Sequence, residues 1–297
     1  MNKLKIAYFG SPDFAADFLE KLITDTTINQ LIEVKLVVTQ PDQKVGRKQI
    51  LTPTPVKVVA LKHSLEILEI ENLKFNENCK LKIKNSDLCL VYAFGDLIPK
   101  ELLSLPKYGF WNIHPSLLPK YRGPSPIAAP LINGDKTTGI TIIKMDEEID
   151  HGPIIAQESY TIKDSDYRPD LEKKLTELGF DLFKKTVVRL TGLRVNGLKV
   201  KEQNHKEAIY TNKLSKQDGF ISFENLKLKI ESSPGKLYNL FQGLYPWPGI
   251  WTVLPNGKRL KIIELKMKSE KLIIEKVQLE SKKEVDFETF NKAYKTF

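Results

Sequence analysis

Lys5 to Leu22 reads KIAYFGSPDFAADFLEKL, and this stretch decides the fold. KIAYF has the composition of a buried strand. Ser11-Pro12-Asp13 then reads as a helix start, with Ser11 as N-cap and Pro12 at the first helical position. Phe14, Phe18 and Leu22 follow at i, i+4 spacing, which lines one helix face and turns it toward a sheet. A strand that runs into a helix covering it is half of a parallel βαβ unit, and the pattern repeats outward. EVKLVVT is the next strand, followed by DLCLVYAF from Asp87 to Phe94, FWNIH, GITIIKM and IIAQESYTI. LEKKLTELGFDLFKKTVVRL is a long amphipathic helix that Gly192 is placed to end. Strands alternating with helices imply an α/β domain with a mostly parallel sheet covered on both faces.

After Gly192 the texture changes. Residues 194 to 212 are polar without strong periodicity and read as a linker, which divides the chain into a first domain 1–192, a linker 193–207 and a second domain 208–297. GFISF, IWTVL and RLKIIEL are short strands, and Asn256-Gly257 between the last two is a tight-hairpin signal. One helix interrupts them, with Ser233 as cap, Pro234 at its first position, then Leu237, Leu240, Phe241 and Leu244 facing the core. The second domain is therefore expected to be a smaller β-barrel.

The 297 residues are 41% hydrophobic and 28% charged, an ordinary globular composition with room for two cores. No apolar run reaches the eighteen or so residues that span a bilayer, and MNKLKIAYFG lacks a cleavable signal pattern, so the expected location is cytoplasmic with no membrane partner. Cys79 and Cys89 are the only cysteines, which excludes a disulfide scaffold and a CxxC metal pair. The formal net charge is +9. From Ala208 onward 16 Lys/Arg face 10 Asp/Glu, so about two thirds of the surplus lies in the last third of the chain. A polyanionic partner such as nucleic acid explains that imbalance, and so does a solvated lysine-rich surface.

Several motifs fail. GSPDFA lacks the spacing of a dinucleotide loop, and GLRVNGLK has Leu198 where a phosphate loop needs lysine. His114, Asp150 and His151 have poor spacing for a metal, so none is expected. His63 and His205 read as surface or linker histidines without a partner.

The stretch GFWNIHPSLLPKYRG, Gly109 to Gly123, is different. On an extended strand Asn112 and His114 point to one face, with Ile113 turned into the core. If FWNIH ends at the carboxyl edge of a parallel sheet, both side chains face the crevice where ligands bind. Pro115 stops the strand, and SLLP offers two exposed leucines as walls for a flat ligand.

NIHPSLLPKYRG strongly resembles the signature of the folate-dependent formyltransferase family. Asp150, in MDEEIDHGPI, matches that family's aspartate. The resemblance implies a Rossmann-like formyltransferase domain followed by an OB-like barrel, and an Asn112–His114–Asp150 trio that moves a formyl group from 10-formyltetrahydrofolate to an amine. An amide N–H and an imidazolium suit a developing oxyanion. A carboxylate beside the histidine favours its charged form and can help remove the amine's proton. The expected catalytic roles are thus Asn112 and His114 on the oxyanion and Asp150 in histidine tuning and proton transfer. By the same resemblance, Ser116, Leu117, Leu118, Pro119, Phe94 and Gly95 form the folate pocket. Phe94 stands where the family usually has tyrosine, and HGPI replaces the commoner TGDM.

TQPDQKVGRKQILTPTPVKVVA, Thr39 to Ala60, resembles the mobile loop of the branch acting on methionyl-tRNA. This implies Lys44, Arg47 and Lys48 as tRNA-binding residues, with Arg47 approaching the acceptor end, and initiator methionyl-tRNA as partner of a monomer that serves translation initiation. TNKLSKQDGFISF and YPWPG resemble the family's second domain, whose basic surplus suits an RNA backbone. Tyr245, Trp247 and Trp251 either stack on bases or pack the domain. A formyltransferase acting on a nucleotide-linked amino sugar, and a non-catalytic folate- or RNA-binding module, are the alternatives. The Thr39–Ala60 loop argues against the first, and the intact trio against the second.

Overall fold

The computed structural model of the protein describes residues 3–46, 48–70, 76–192, 199–295 and 297. The chain opens with β1 (Leu4–Phe9), α1 (Asp13–Thr24), β2 (Ile32–Thr39), β3 (Gln43–Val45), β4 (Ile50–Thr52), α2 (Pro55–Lys62), β5 (Ile67–Glu69) and α3 (Glu77–Lys84). It continues with β6 (Leu88–Val91), α4 (Lys100–Leu103), β7 (Phe110–His114), α5 (Ala128–Asn133), β8 (Thr137–Lys144), β9 (Ile154–Thr161) and α6 (Arg168–Gly192). The last part holds α7 (Phe223–Ser232), α8 (Pro234–Leu244), β10 (Trp251–Val253), β11 (Arg259–Lys268), β12 (Lys271–Leu279), β13 (Glu284–Asp286) and α9 (Phe287–Tyr294). Two compact units result, and they alternate along the chain: residues 125–137 and 161–171 belong with 211–297, and the rest with the first unit.

The first unit is built on a seven-stranded sheet, β5-β2-β1-β6-β7-β8-β9. The pairs from β5 to β7 are parallel and β7–β8 is antiparallel. Successive β1 side chains explain the two covered faces. Ala7 and Phe9 join a core with Cys79, Ile83, Cys89 and Phe110. On the other face Tyr8 and Tyr92 meet Phe18, whose ring also packs against Phe180 and Phe183 of α6. Phe18 and Leu22 are buried and Phe14 meets Tyr92 edge-on at 5.1 Å, so the i, i+4 row faces the sheet. Gly179 lets α6 come close: a Cβ there would sit 3.3 Å from Ile113 and Ile140.

Four local expectations change. Ser11 does not cap α1; its hydroxyl donates to the Phe94 carbonyl, and the Pro12 carbonyl accepts the first helical bond from Ala16. The strand in DLCLVYAF stops at Val91, because Ala93 takes φ 52° and turns the chain out of the sheet. β5 is an additional edge strand of only three residues, too short to show alternation. His63 has a partner, with Nε2 2.9 Å from Glu20.

The second unit carries a four-stranded antiparallel sheet, β10-β11-β12-β13. Asn256-Gly257 makes the β10–β11 turn, with Gly257 at φ 79°. GFISF is not a strand. Ser222 caps α7 by accepting from the Asn225 amide, and Phe223, Leu226 and Ile230 give the helical spacing that pulls the segment into a core with Leu237, Phe241 and Phe290. Ser233 precedes α8 without a side-chain capping bond. In that helix Gly243 permits close approach to α5, since a Cβ would fall 2.9 Å from the Ala128 carbonyl oxygen. The three aromatics divide. Trp251 donates to the Lys216 carbonyl and packs on Phe220 at 4.8 Å, Tyr245 meets Tyr167 at 5.2 Å, and Trp247 stays 51% exposed.

Candidate active site

Parallel register puts Phe9, Val91 and Asn112 side by side at the carboxyl ends of β1, β6 and β7. Asn112 and His114 lie two residues apart on β7 and converge on one atom. Asn112 Nδ2 donates to Asp150 Oδ1 at 3.0 Å, and His114 Nδ1 lies 3.5 Å from the same oxygen. The other carboxylate oxygen accepts from the Gly123 amide at 2.7 Å. His114 and Asp150 are largely shielded, with side chains 5% and 12% exposed. His114 Nε2 is 2.9 Å from the Tyr121 carbonyl, which can only accept, so Nε2 carries a hydrogen and Nδ1 faces Asp150. Asn112 Nδ2 carries a second N–H besides the one it gives to Asp150.

Asp150 sits at the tip of the loop between β8 and β9. Lys144 and Pro153 close the base of that loop by a backbone bond of 3.0 Å. Asp150 itself takes φ 51°, the left-handed region that Asp tolerates better than most residues. A Cβ at Gly152 would strike the Lys144 carbonyl, so the glycine of HGPI is a steric requirement of the turn.

The SLLP loop is held from β8. Thr141, the register partner of His114, is fully buried. Its hydroxyl donates to the Ser116 carbonyl at 2.6 Å and accepts from the Leu118 amide at 3.1 Å. Gln157 Nε2 reaches both Thr141 Oγ1 and the Leu118 carbonyl. Ser116 is buried and its hydroxyl donates to the Lys120 carbonyl, which tightens the turn. Leu117 and Pro119 are half-buried, but Leu118 is only 3% exposed, so of the two leucines expected to be exposed one is partly open and the other is buried. Phe94 turns its ring inward against Phe9 at 5.5 Å, which leaves only its backbone for a ligand. Gly95, at φ 96°, packs beside Gln40.

Lys44 on β3 and Lys48 in the turn before β4 are exposed on a hairpin that also shows Val45, Ile50 and Leu51 to solvent. Its base is closed by the Thr39 and Thr54 hydroxyls at 2.7 Å. Arg47 lies outside the described residues, as does part of the expected linker.

Residues not expected at the site surround Asp150 from behind. Arg122, buried at 1% exposure, donates to Gln203 Oε1 at 2.7 Å and to the Tyr210 hydroxyl at 3.1 Å. Gln203 Nε2 donates to the carbonyls of Asp150 and Gly152. His205 is far from partnerless: its Nδ1 meets Arg122 at 2.9 Å and its ring stacks on His151 at 3.9 Å. Gln203, His205 and Tyr210 come from a stretch with no periodicity, and only chain topology brings them to Arg122, which the NIHPSLLPKYRG motif carries. Among the described residues no group of three His, Cys, Asp or Glu is placed to hold a metal ion. No helix of the described residues is long and apolar enough to cross a membrane.

Residues 4–187 match the formyl transferase family and residues 213–272 match the formyl transferase C-terminal domain. A methionyl-tRNA formyltransferase of Caldicellulosiruptor saccharolyticus is 44% identical over 266 residues, covering 89% of this chain and 80% of that protein. One from Thermodesulfovibrio yellowstonii is 38% identical over 87% of this chain and 79% of its own length. Among solved structures, a 4-N formyltransferase from Francisella tularensis shares the fold with a TM-score of 0.66 at 21% identity, covering 89% of this chain and 98% of that one. Phosphoribosylglycinamide formyltransferase from Bacillus halodurans aligns over 63% of this chain and 94% of its own, at 27% identity and a TM-score of 0.52.

Proposed function

The chain belongs to the methionyl-tRNA formyltransferase family, and we propose that it transfers a formyl group from 10-formyltetrahydrofolate to the free amino group of initiator methionyl-tRNA in the cytoplasm. The observation that carries the reading is the meeting of Asn112 and His114 on Asp150 Oδ1 at the carboxyl edge of the sheet. Residues 116–119 and the backbone at Phe94 and Gly95 would hold the donor. They suit it because the loop is fixed from below by Thr141 while Leu117 remains partly open.

The donor supplies an activated formyl carbon, and the overall reaction moves one proton from the acceptor amine to the leaving nitrogen. Asn112 uses one amide hydrogen to orient Asp150 and directs the second at the oxygen where negative charge develops. Losing such a donor costs about 10²–10³ in rate. Asp150 accepts the amine's proton, directly or through water, and His114 Nδ1 beside it passes a proton on. The Tyr121 carbonyl holds the imidazole in the orientation this needs. The Gln43–Thr52 hairpin, with Lys44, Arg47 and Lys48, takes the acceptor end of the tRNA. The basic second unit, chiefly residues 211–297, contacts its phosphate backbone, and the protein acts as a monomer.

The test offers the protein 10-formyltetrahydrofolate with either methionyl-initiator tRNA or a nucleotide-linked amino sugar. Formyl transfer to the tRNA alone is the expected result. Transfer to the sugar alone would overturn the acceptor assignment, and transfer to neither would overturn the enzyme assignment.

A further inference from the structure

We propose that Gln203 and His205 are positioning residues for Asp150, so that the segment from Lys201 to Tyr210 is a clasp on the active site and not a linker. The proposal rests on the reading of Asp150 as the proton acceptor. Backbone pairing fixes both ends of the segment. Lys201 and Ile154 exchange two backbone bonds of 2.7 and 2.8 Å, and Arg122 N donates to the Ile209 carbonyl at 2.8 Å. Between these anchors the side chains reach Asp150 and the two residues that follow it. Gln203, 5% exposed, spends both amide hydrogens on the carbonyls of Asp150 and Gly152, at 2.8 and 2.7 Å. Asp150 is thus gripped twice: its carboxylate by Asn112 and Gly123, its backbone by Gln203. That double grip holds a non-glycine residue at φ 51°, in the left-handed region.

Gln203 is itself aimed by Arg122, whose Nη2 donates to Gln203 Oε1 at 2.7 Å and is shared with His205 Nδ1 at 2.9 Å. A guanidinium cannot accept, so His205 must offer a lone pair at Nδ1. Among the described residues, Arg122 and the stacked ring of His151 face His205. Behind His151 stand Asp146, 2.7 Å from its Nδ1, and Glu148, 4.0 Å from its Nε2. Protonating His205 removes the acceptor and puts a second cation against Arg122. The Arg122–Gln203 arm then loses its brace, and with it the placement of Asp150. His151 lies next to Asp150 in sequence, so the stack carries any shift of His205 straight to the catalytic loop.

Three variants test the clasp. Gln203→Glu keeps the acceptor for Arg122 and removes both N–H donors. His205→Leu removes the acceptor, and His205→Gln keeps an acceptor that does not titrate. Steady-state formylation of methionyl-tRNA is followed from about pH 8 to about pH 5, with amide hydrogen exchange of residues 145–152 on the same samples. Gln203→Glu is expected to lower kcat by about tenfold or more, to leave KM for both substrates within about twofold, and to speed exchange at 145–152. His205→Leu lowers kcat, His205→Gln recovers most of it, and only wild type shows the added loss of rate and of protection on acidification. The proposal is overturned if Gln203→Glu keeps wild-type kcat and exchange, or if the wild-type and His205→Gln pH profiles superimpose. Should wild type formylate no tRNA while exchange responds as described, the clasp stands and the acceptor assignment falls.

Discussion

Asn112 gives one amide hydrogen to Asp150 and keeps the other, and the proposed chemistry depends on that second hydrogen. Asn112→Ala is therefore expected to slow single-turnover formylation by about 10²–10³ with the circular dichroism spectrum unchanged. Thr141 acts one step further back. Its hydroxyl both donates and accepts to pin the Ser116–Leu118 turn, and valine has the shape without the bonds. Thr141→Val should raise KM for the folate donor more than it lowers kcat, and Thr141→Ser should restore it; equal effects on donor and acceptor would argue against a donor-loop role. These residues differ in how far the sequence reveals them. Asn112 and His114 share a strand face by local spacing alone, so their pairing can be read from five letters. Gln203 and Arg122 are separated by 81 positions and meet only because the chain returns to the sheet edge. The Phe94 ring was expected in the pocket, yet strand alternation ends at Val91 and the ring turns into the core.

Among elements, α1 is the one whose packing was most fully legible. Phe18 meets Tyr8, Tyr92, Phe180 and Phe183, and deleting its ring leaves a cavity between helix and sheet. Phe18→Ala is expected to cost about 3–5 kcal/mol, measured by urea denaturation. The end of α1 has an electrostatic role. The Thr27 hydroxyl, the Ile28 amide and Lys184 of α6 hold the Asp25 carboxyl well below its usual range. A depressed folded-state pKa stabilises above the unfolded value, near 4, and the benefit is lost as pH falls through the folded value. The stability gap between wild type and Asp25→Ala should therefore be full at neutral pH and close below about pH 4; a gap that widened in acid would contradict this. α7 shows why short β-like runs mislead. GFISF is rich in strand formers, but a serine N-cap and the 3,4 spacing of Phe223, Leu226 and Ile230 outweigh that propensity once a core lies on one side.

At the scale of the whole molecule, the alternation of strands and helices made the α/β class readable, and the antiparallel sheet of the second unit followed from its hairpin signal. The membership of residues 125–137 and 161–171 in the second unit was not readable, because those segments bury their apolar side chains against residues far along the chain. The charge surplus bears on the partner. If lysines of the second domain meet RNA phosphates, four contacts would give a slope of about −3 in log affinity against log salt for methionyl-tRNA, and a slope near zero would exclude backbone contacts. The central claim is narrower: Asp150, oriented by Asn112 and His114, takes the amine's proton during formyl transfer. Its most direct test is single-turnover transfer from 10-formyltetrahydrofolate to methionyl-initiator tRNA by wild type and Asp150→Asn, with donor binding measured in both. The account predicts that the variant binds donor normally and transfers at least about 10²-fold more slowly. Wild-type speed in a folded Asp150→Asn protein would contradict it.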